Sequence, residues 1–105
     1  MHFLHYPFHV GPNEIIEIRL DRQANVRLLD DANFWAYRSG RKHRHYGGLA
    51  ISTPIRLEPP RPGYWHVVVD LGGVVGRVRA SACVIDVGNG AAPTTRRRVD
   101  RRVHS

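Results

Sequence analysis

The first segment of the chain alternates cleanly, with Leu4, Tyr6, Phe8 and Val10 on one side and His5, Pro7 and His9 on the other. A period of two over this length predicts a strand with one buried face. Pro7 has no N–H to give to a ladder, so the strand belongs at a sheet edge or leaves its Pro7 position facing outward. After the turn residues Gly11-Pro12-Asn13 the alternation returns in Glu14 to Leu20, with Ile16, Ile18 and Leu20 inward against Glu17 and Arg19. It returns again in Ala24 to Leu29 through Val26 and Leu28.

The period then changes. Phe34, Tyr37 and Arg38 follow one another at i, i+3 and i+4, Asp30 or Asp31 can cap a helix start, and Gly40 supplies a left-handed stop. One short helix near 31–38 is predicted. Arg41 to His45 is polar and basic, Tyr46-Gly47-Gly48 reads as a loop, and Thr53 to Glu58 reads as a strand that Pro59-Pro60-Arg61-Pro62-Gly63 ends. Tyr64 to Leu71 has apolar residues on both faces, the mark of a central strand. Gly72-Gly73 reads as a tight hairpin into a long strand, Val74 to Val87, where Val78, Ala80, Ala82 and Val84 alternate with Arg77, Arg79, Ser81 and Cys83 and Gly76 offers a bulge. These elements predict an all-β fold, an antiparallel, jelly-roll-like β-sandwich of six to eight strands with one short helix; a small β-barrel shares the same pattern.

Composition divides the chain. Residues 1–87 hold 11 basic and 8 acidic groups, whereas residues 88–105 hold five arginines and one aspartate, so more than half of the net charge of +7 lies in the tail. The tail has too little apolar surface to offset the entropy of ordering it, which predicts a single sandwich domain over 1–87 and a disordered basic extension over 88–105. Cys83 is the only cysteine, which excludes an internal disulfide and any cysteine-rich zinc site. No apolar run approaches the roughly 20 residues of a membrane span, and the N-terminus lacks the charged and apolar regions of a signal peptide. The expectation is a cytoplasmic protein without a membrane partner.

Candidate chemistry is concentrated in Trp35 to Tyr46, which carries four permanent cations, His43, His45 and three aromatic residues, with no acid. Such a patch draws anions. Asn33, Tyr37, Arg41, His43, Tyr46 and His66 are the polar and aromatic residues outside the core pattern and form the candidate ligand site. For a metal, His43 and His45 form a His-x-His pair about 7 Å apart along a strand, with His66 the available third ligand; no carboxylate follows at the usual spacing, and no cofactor is expected. His5 and His9, about 13 Å apart along their strand, cannot share an ion and read as surface or edge residues. Cys83 reads as an inert core or subsurface thiol, and no serine lies in a nucleophile-elbow context, so nothing supports an enzyme.

Several motifs in order are familiar. Phe3-Leu4-His5-Tyr6, Gln23-Ala24-Asn25-Val26-Arg27-Leu28, Asn33-Phe34, Tyr37, Tyr46-Gly47-Gly48, Gly63-Tyr64-Trp65-His66-Val67-Val68-Val69-Asp70-Leu71-Gly72-Gly73 and Arg79-Ala80-Ser81 resemble a small bacterial family of unknown function. Its members stand alone or precede a TIR domain. The resemblance covers residues 1–87 and implies an all-β sandwich, but no activity, cofactor or catalytic residue. The functional expectation is a ligand-binding or sensing module for a small anionic molecule. The alternatives are a structural domain that forms a homo-oligomer, and weak nucleic-acid binding through the basic loop and tail.

Overall fold

In a computed structural model, which describes residues 3–74, 76–88 and 94–104, the alternating segments become strands. In chain order they are β1 (Phe3–Val10), β2 (Glu14–Leu20), β3 (Ala24–Leu29), helix α1 (Asp31–Arg38), β4 (Tyr46–Ala50), β5 (Ile55–Leu57), β6 (Gly63–Asp70), β7 (Arg77–Asp86) and β8 (Thr94–His104). All pairings are antiparallel and give two four-stranded sheets, β1-β6-β3-β4 and β5-β2-β7-β8. The architecture is an all-β sandwich, and the described strands form no closed barrel.

The inward faces are those the alternation marks. Leu4, Tyr6, Phe8 and Val10 of β1 meet Ile16, Ile18 and Leu20 of β2 in one core, together with Val26, Leu28, Trp65, Val67, Val69, Val78 and Val84. β1 is an edge strand, one of the two placements Pro7 allows, and β6 is internal to its sheet. Val68 is buried on the opposite face of β6, where α1 covers it with Phe34 and Tyr37 beside Leu29 and Phe3. That helix begins at Asp30, whose side chain accepts the Asn33 N–H, and its C-terminal residue Arg38 is basic, as the macrodipole favours. No described helix is long and apolar enough to cross a membrane.

Four expectations are corrected. Tyr46-Gly47-Gly48 is not a loop but the start of β4, paired with β3 so that Gly48 faces Val26 and Gly47 faces Arg27. Two glycines erase the alternation that would have marked it. Gly47 is glycine for a steric reason, since its φ is 96° and a Cβ there would stand 2.5 Å from the Val26 carbonyl oxygen. Gly72-Gly73, with φ of 62° and 86°, does make a tight turn closed by the Val74 N–H on the Leu71 carbonyl, but it carries the chain between sheets rather than closing a hairpin. Gly76 precedes β7 instead of bulging it.

The fourth concerns the tail. Thr94–His104 runs as β8 along β7, with Val103 opposite Val78 and Val99 opposite Ala82. The physical reason is the edge that β7 would otherwise leave, ten residues of backbone donors and acceptors with β2 on one side only. Backbone pairing needs little apolar content, so composition gave no sign of it. Residues 89–93 and 105, also part of the expected disordered tail, lie outside the described residues.

Candidate functional site

Polar side chains collect on the helix-covered face of the β1-β6-β3-β4 sheet. Asp70, 1% exposed at the end of β6, accepts from the Tyr37 hydroxyl at 2.6 Å, from Asn25 Nδ2 at 2.9 Å and from the Gly72 N–H at 2.9 Å, and it forms an ion pair with Arg27. Burial alone would push the Asp70 carboxyl up, but the hydrogen bonds from Tyr37 and Asn25, the Arg27 charge and the Gly72 N–H outweigh it, and the group titrates below the usual carboxylate range. Burial, reinforced by the hydrogen bond to Asp70, raises the Tyr37 hydroxyl far above the usual tyrosine range. This network ties the helix, β3 and the turn after β6 into one unit.

A second group lies nearer the start of α1. His5 Nε2 and His66 Nδ1 are 2.8 Å apart, and His66 Nε2 is 2.5 Å from Asp31 Oδ1. Phe34 stacks on both imidazoles, with centroids 4.2 Å from His5 and 4.4 Å from His66. His5 is therefore a helix-packing residue; His9, as expected, is exposed.

Beside this face a cleft of about 590 Å³ opens between the start of α1, the 43–46 segment and the loop before β6. Leu28 and Trp65 form its apolar wall, while His43, Arg44, His45 and Arg61 supply its basic groups. Asn33 joins two of these walls by accepting the Arg44 N–H at 2.8 Å on Oδ1 while its own side chain donates to Asp30. Arg61 lies 4.9 Å from the Trp65 ring centroid and 3.6 Å from Asp30, and its carbonyl accepts the indole N–H at 2.9 Å. Among the described residues, Asp30 is the one acid on the cleft wall. It titrates below its ordinary value because the Asn33 backbone N–H bonds it, with the Asn33 side chain and Arg61 adding to the effect against a burial cost. Burial first, then the charges of Arg27 and His43, hold His45 below the ordinary histidine range, with Asp70 partly opposing.

The six residues expected to form the site do not form one. Asn33, His43 and Tyr46 line the cleft. Tyr37 is buried under the helix on Asp70. Arg41 is exposed, its N–H bonded to the Ala36 carbonyl at the helix end. His66 is engaged with His5 and Asp31. The metal trio is likewise separated: the His43 and His45 rings lie 5.4 Å apart, whereas His66 belongs to the other group. Among the described residues no cluster of three or more histidine, cysteine or acidic side chains is arranged to hold a metal. Sequence reasoning missed Arg44, Arg61 and Asp70 as site or network residues. Asp70 had a signal, since an acid within the apolar run Val67 to Leu71 implies a buried partner; Arg61, in a proline-rich loop, had none.

Fold and face together define a class, an antiparallel sandwich whose outer sheet face carries one capping helix and a basic cleft. More particularly, the chain belongs to the family described as a domain of unknown function, DUF1883, whose model matches residues 1–87. β8 lies beyond that match. No curated protein and no solved structure was found to match the chain.

Proposed function

We propose that this protein is a binding module for a small anionic molecule, held in the cleft between α1, the 43–46 segment and the loop before β6. The observation that carries this reading is the charge of the cleft wall. Two arginines and two histidines face a single carboxylate, Asp30, which is already committed to capping the helix and to Arg61. A volume of about 590 Å³ is within the roughly 300–1,000 Å³ typical of small-molecule sites. Arg44 and Arg61 would engage the negative charge, Asn33 and Tyr46 would orient the remainder, and Trp65 and Leu28 would provide the apolar floor. The cytoplasm and a sensing role, as for a module placed ahead of a TIR domain, fit this reading.

Thermal-shift measurements with nucleotides, phosphosugars and inorganic phosphate test it. A concentration-dependent rise in melting temperature is expected, lost in Arg44→Glu, whose exposed side chain leaves the fold intact. The rise should grow as the pH falls below the ordinary histidine range, because His45 then gains charge. A flat response across the whole set, or a response that Arg44→Glu leaves unchanged, overturns the proposal.

A further inference from the structure

Each sheet ends in two strands, and an edge strand offers half its backbone N–H and C=O groups to any chain that can pair with it. Three of the four edges carry the usual protection. β1 contains Pro7, β5 is three residues long between Pro54 and Pro59, and the sequence of β8 includes Arg96-Arg97-Arg98 and Arg101-Arg102. β4 carries none of these. From Tyr46 through Thr53 there is no charge and no proline, Gly47 and Gly48 present bare backbone, and Leu49 and Ile51 are 63% and 75% exposed. Beneath this edge an apolar groove of about 330 Å³ opens toward β5, with Val26, Ile55 and Leu57 along it.

We propose that the free edge of β4 pairs with β4 of a second copy of this chain, antiparallel about a two-fold axis, joining two four-stranded sheets into one of eight. Charge selects this occupant and this direction. The basic run Arg41-Lys42-His43-Arg44-His45 immediately precedes β4. A parallel partner would lay that run against itself. Antiparallel pairing centred on Gly48 instead lays the end of β4 that follows the basic run beside the uncharged end of the other copy's β4, which leads into Ile51-Ser52-Thr53, so the segment complements itself. Leu49 is registered with Asn25, whose side chain reaches Asp70 on the helix-covered face, so the two-fold axis sets Leu49 of each copy opposite Gly47 of the other and diagonal to its Leu49 on that face, while Ile51, just past the strand, lies toward the other copy's His45. One strand pair is a small contact, and the dimer is accordingly concentration-dependent.

The experiment is sedimentation velocity over roughly 10 µM to 1 mM together with amide exchange, on the full chain and on a Leu49→Lys/Ile51→Lys variant whose fold is checked by circular dichroism. The expected result is a monomer–dimer equilibrium in the natural chain, with amides at 47–51 exchanging more slowly as concentration rises. In the variant association weakens by roughly tenfold or more, since Leu49→Lys sets like charges of the two copies diagonal to one another and Ile51→Lys adds a charge beside the other copy's basic run. A natural chain that stays monomeric at the highest concentration overturns the proposal. So does a dimer that the double variant leaves intact, which places the interface elsewhere. If the chain is monomeric and the 47–51 amides slow only when an unrelated extended peptide is added, the edge serves a foreign strand and self-pairing is wrong.

Discussion

Asp70 shows how one residue can serve several elements. Its carboxylate stands almost wholly out of water and is satisfied by partners from β3, α1 and the turn after β6. Removing the charge leaves Arg27 facing a neutral amide in a largely buried position, and Asp70→Asn should therefore cost about 3 kcal/mol in urea unfolding at neutral pH. The pH dependence has a definite sign. Because the folded-state value of Asp70 is depressed, its contribution is fully present above the ordinary carboxylate value of 3.8 and is lost as the pH falls through the lower folded value. Unfolding curves below pH 4 should thus converge for the natural chain and Asp70→Asn; a constant gap down to the lowest pH would show that the charge is not what stabilises the network. The acid in an apolar run already hints at such a residue, but its side-chain partners, separated from it by 33 to 45 positions, are invisible without the fold.

At the scale of elements, the segments with unbroken periodicity are the ones legible in advance. β1, β2 and β3 follow from alternation, β6 from apolar residues on both of its faces, and α1 from its cap, its 3.6-residue period and its glycine stop. β4 is the counterexample, since its glycines hide the pattern and only the neighbouring β3 backbone makes it a strand. Gly47 is therefore the test of that element. Gly47→Ala places a Cβ against the Val26 carbonyl in a positive-φ conformation and should cost about 1–3 kcal/mol. Melting should shift downward, and amide exchange should show β4 opening before β3 and β6. Uniform loss of protection across the sheet would mean that β4 is inseparable from the core.

At the scale of the molecule, the division at Val87 looks different once the sheets are assembled. The family match ends there, yet the chain beyond it completes the β5-β2-β7-β8 sheet. A chain ending at Val87 should keep the sandwich core, because the described buried hydrophobic residues, Ile85 the last of them, all precede it. It should nonetheless melt at lower temperature and self-associate more readily, since β7 would then present a bare edge. Equal melting temperature and equal solubility of the two chains would remove any stabilising role for β8. The basic character of the protein also changes meaning. Part of it lies in a loop beside a cleft, and part in the sequence of the strand added along β7.

The sequence alone determined the class of fold, the inward face of most strands, the short helix and the limit that Pro7 sets on where β1 can lie, because each of these depends on the local period of apolar residues and on what proline cannot do. The tertiary structure decided the rest: which strands pair, the burial of Asp70 with Tyr37 and Arg27, the separation of His66 from His43, and the convergence of Arg44 and Arg61 on one cleft. Those depend on how two twisted sheets bring distant backbone and side chains together, and a pattern of period two carries no information about distance across a sandwich.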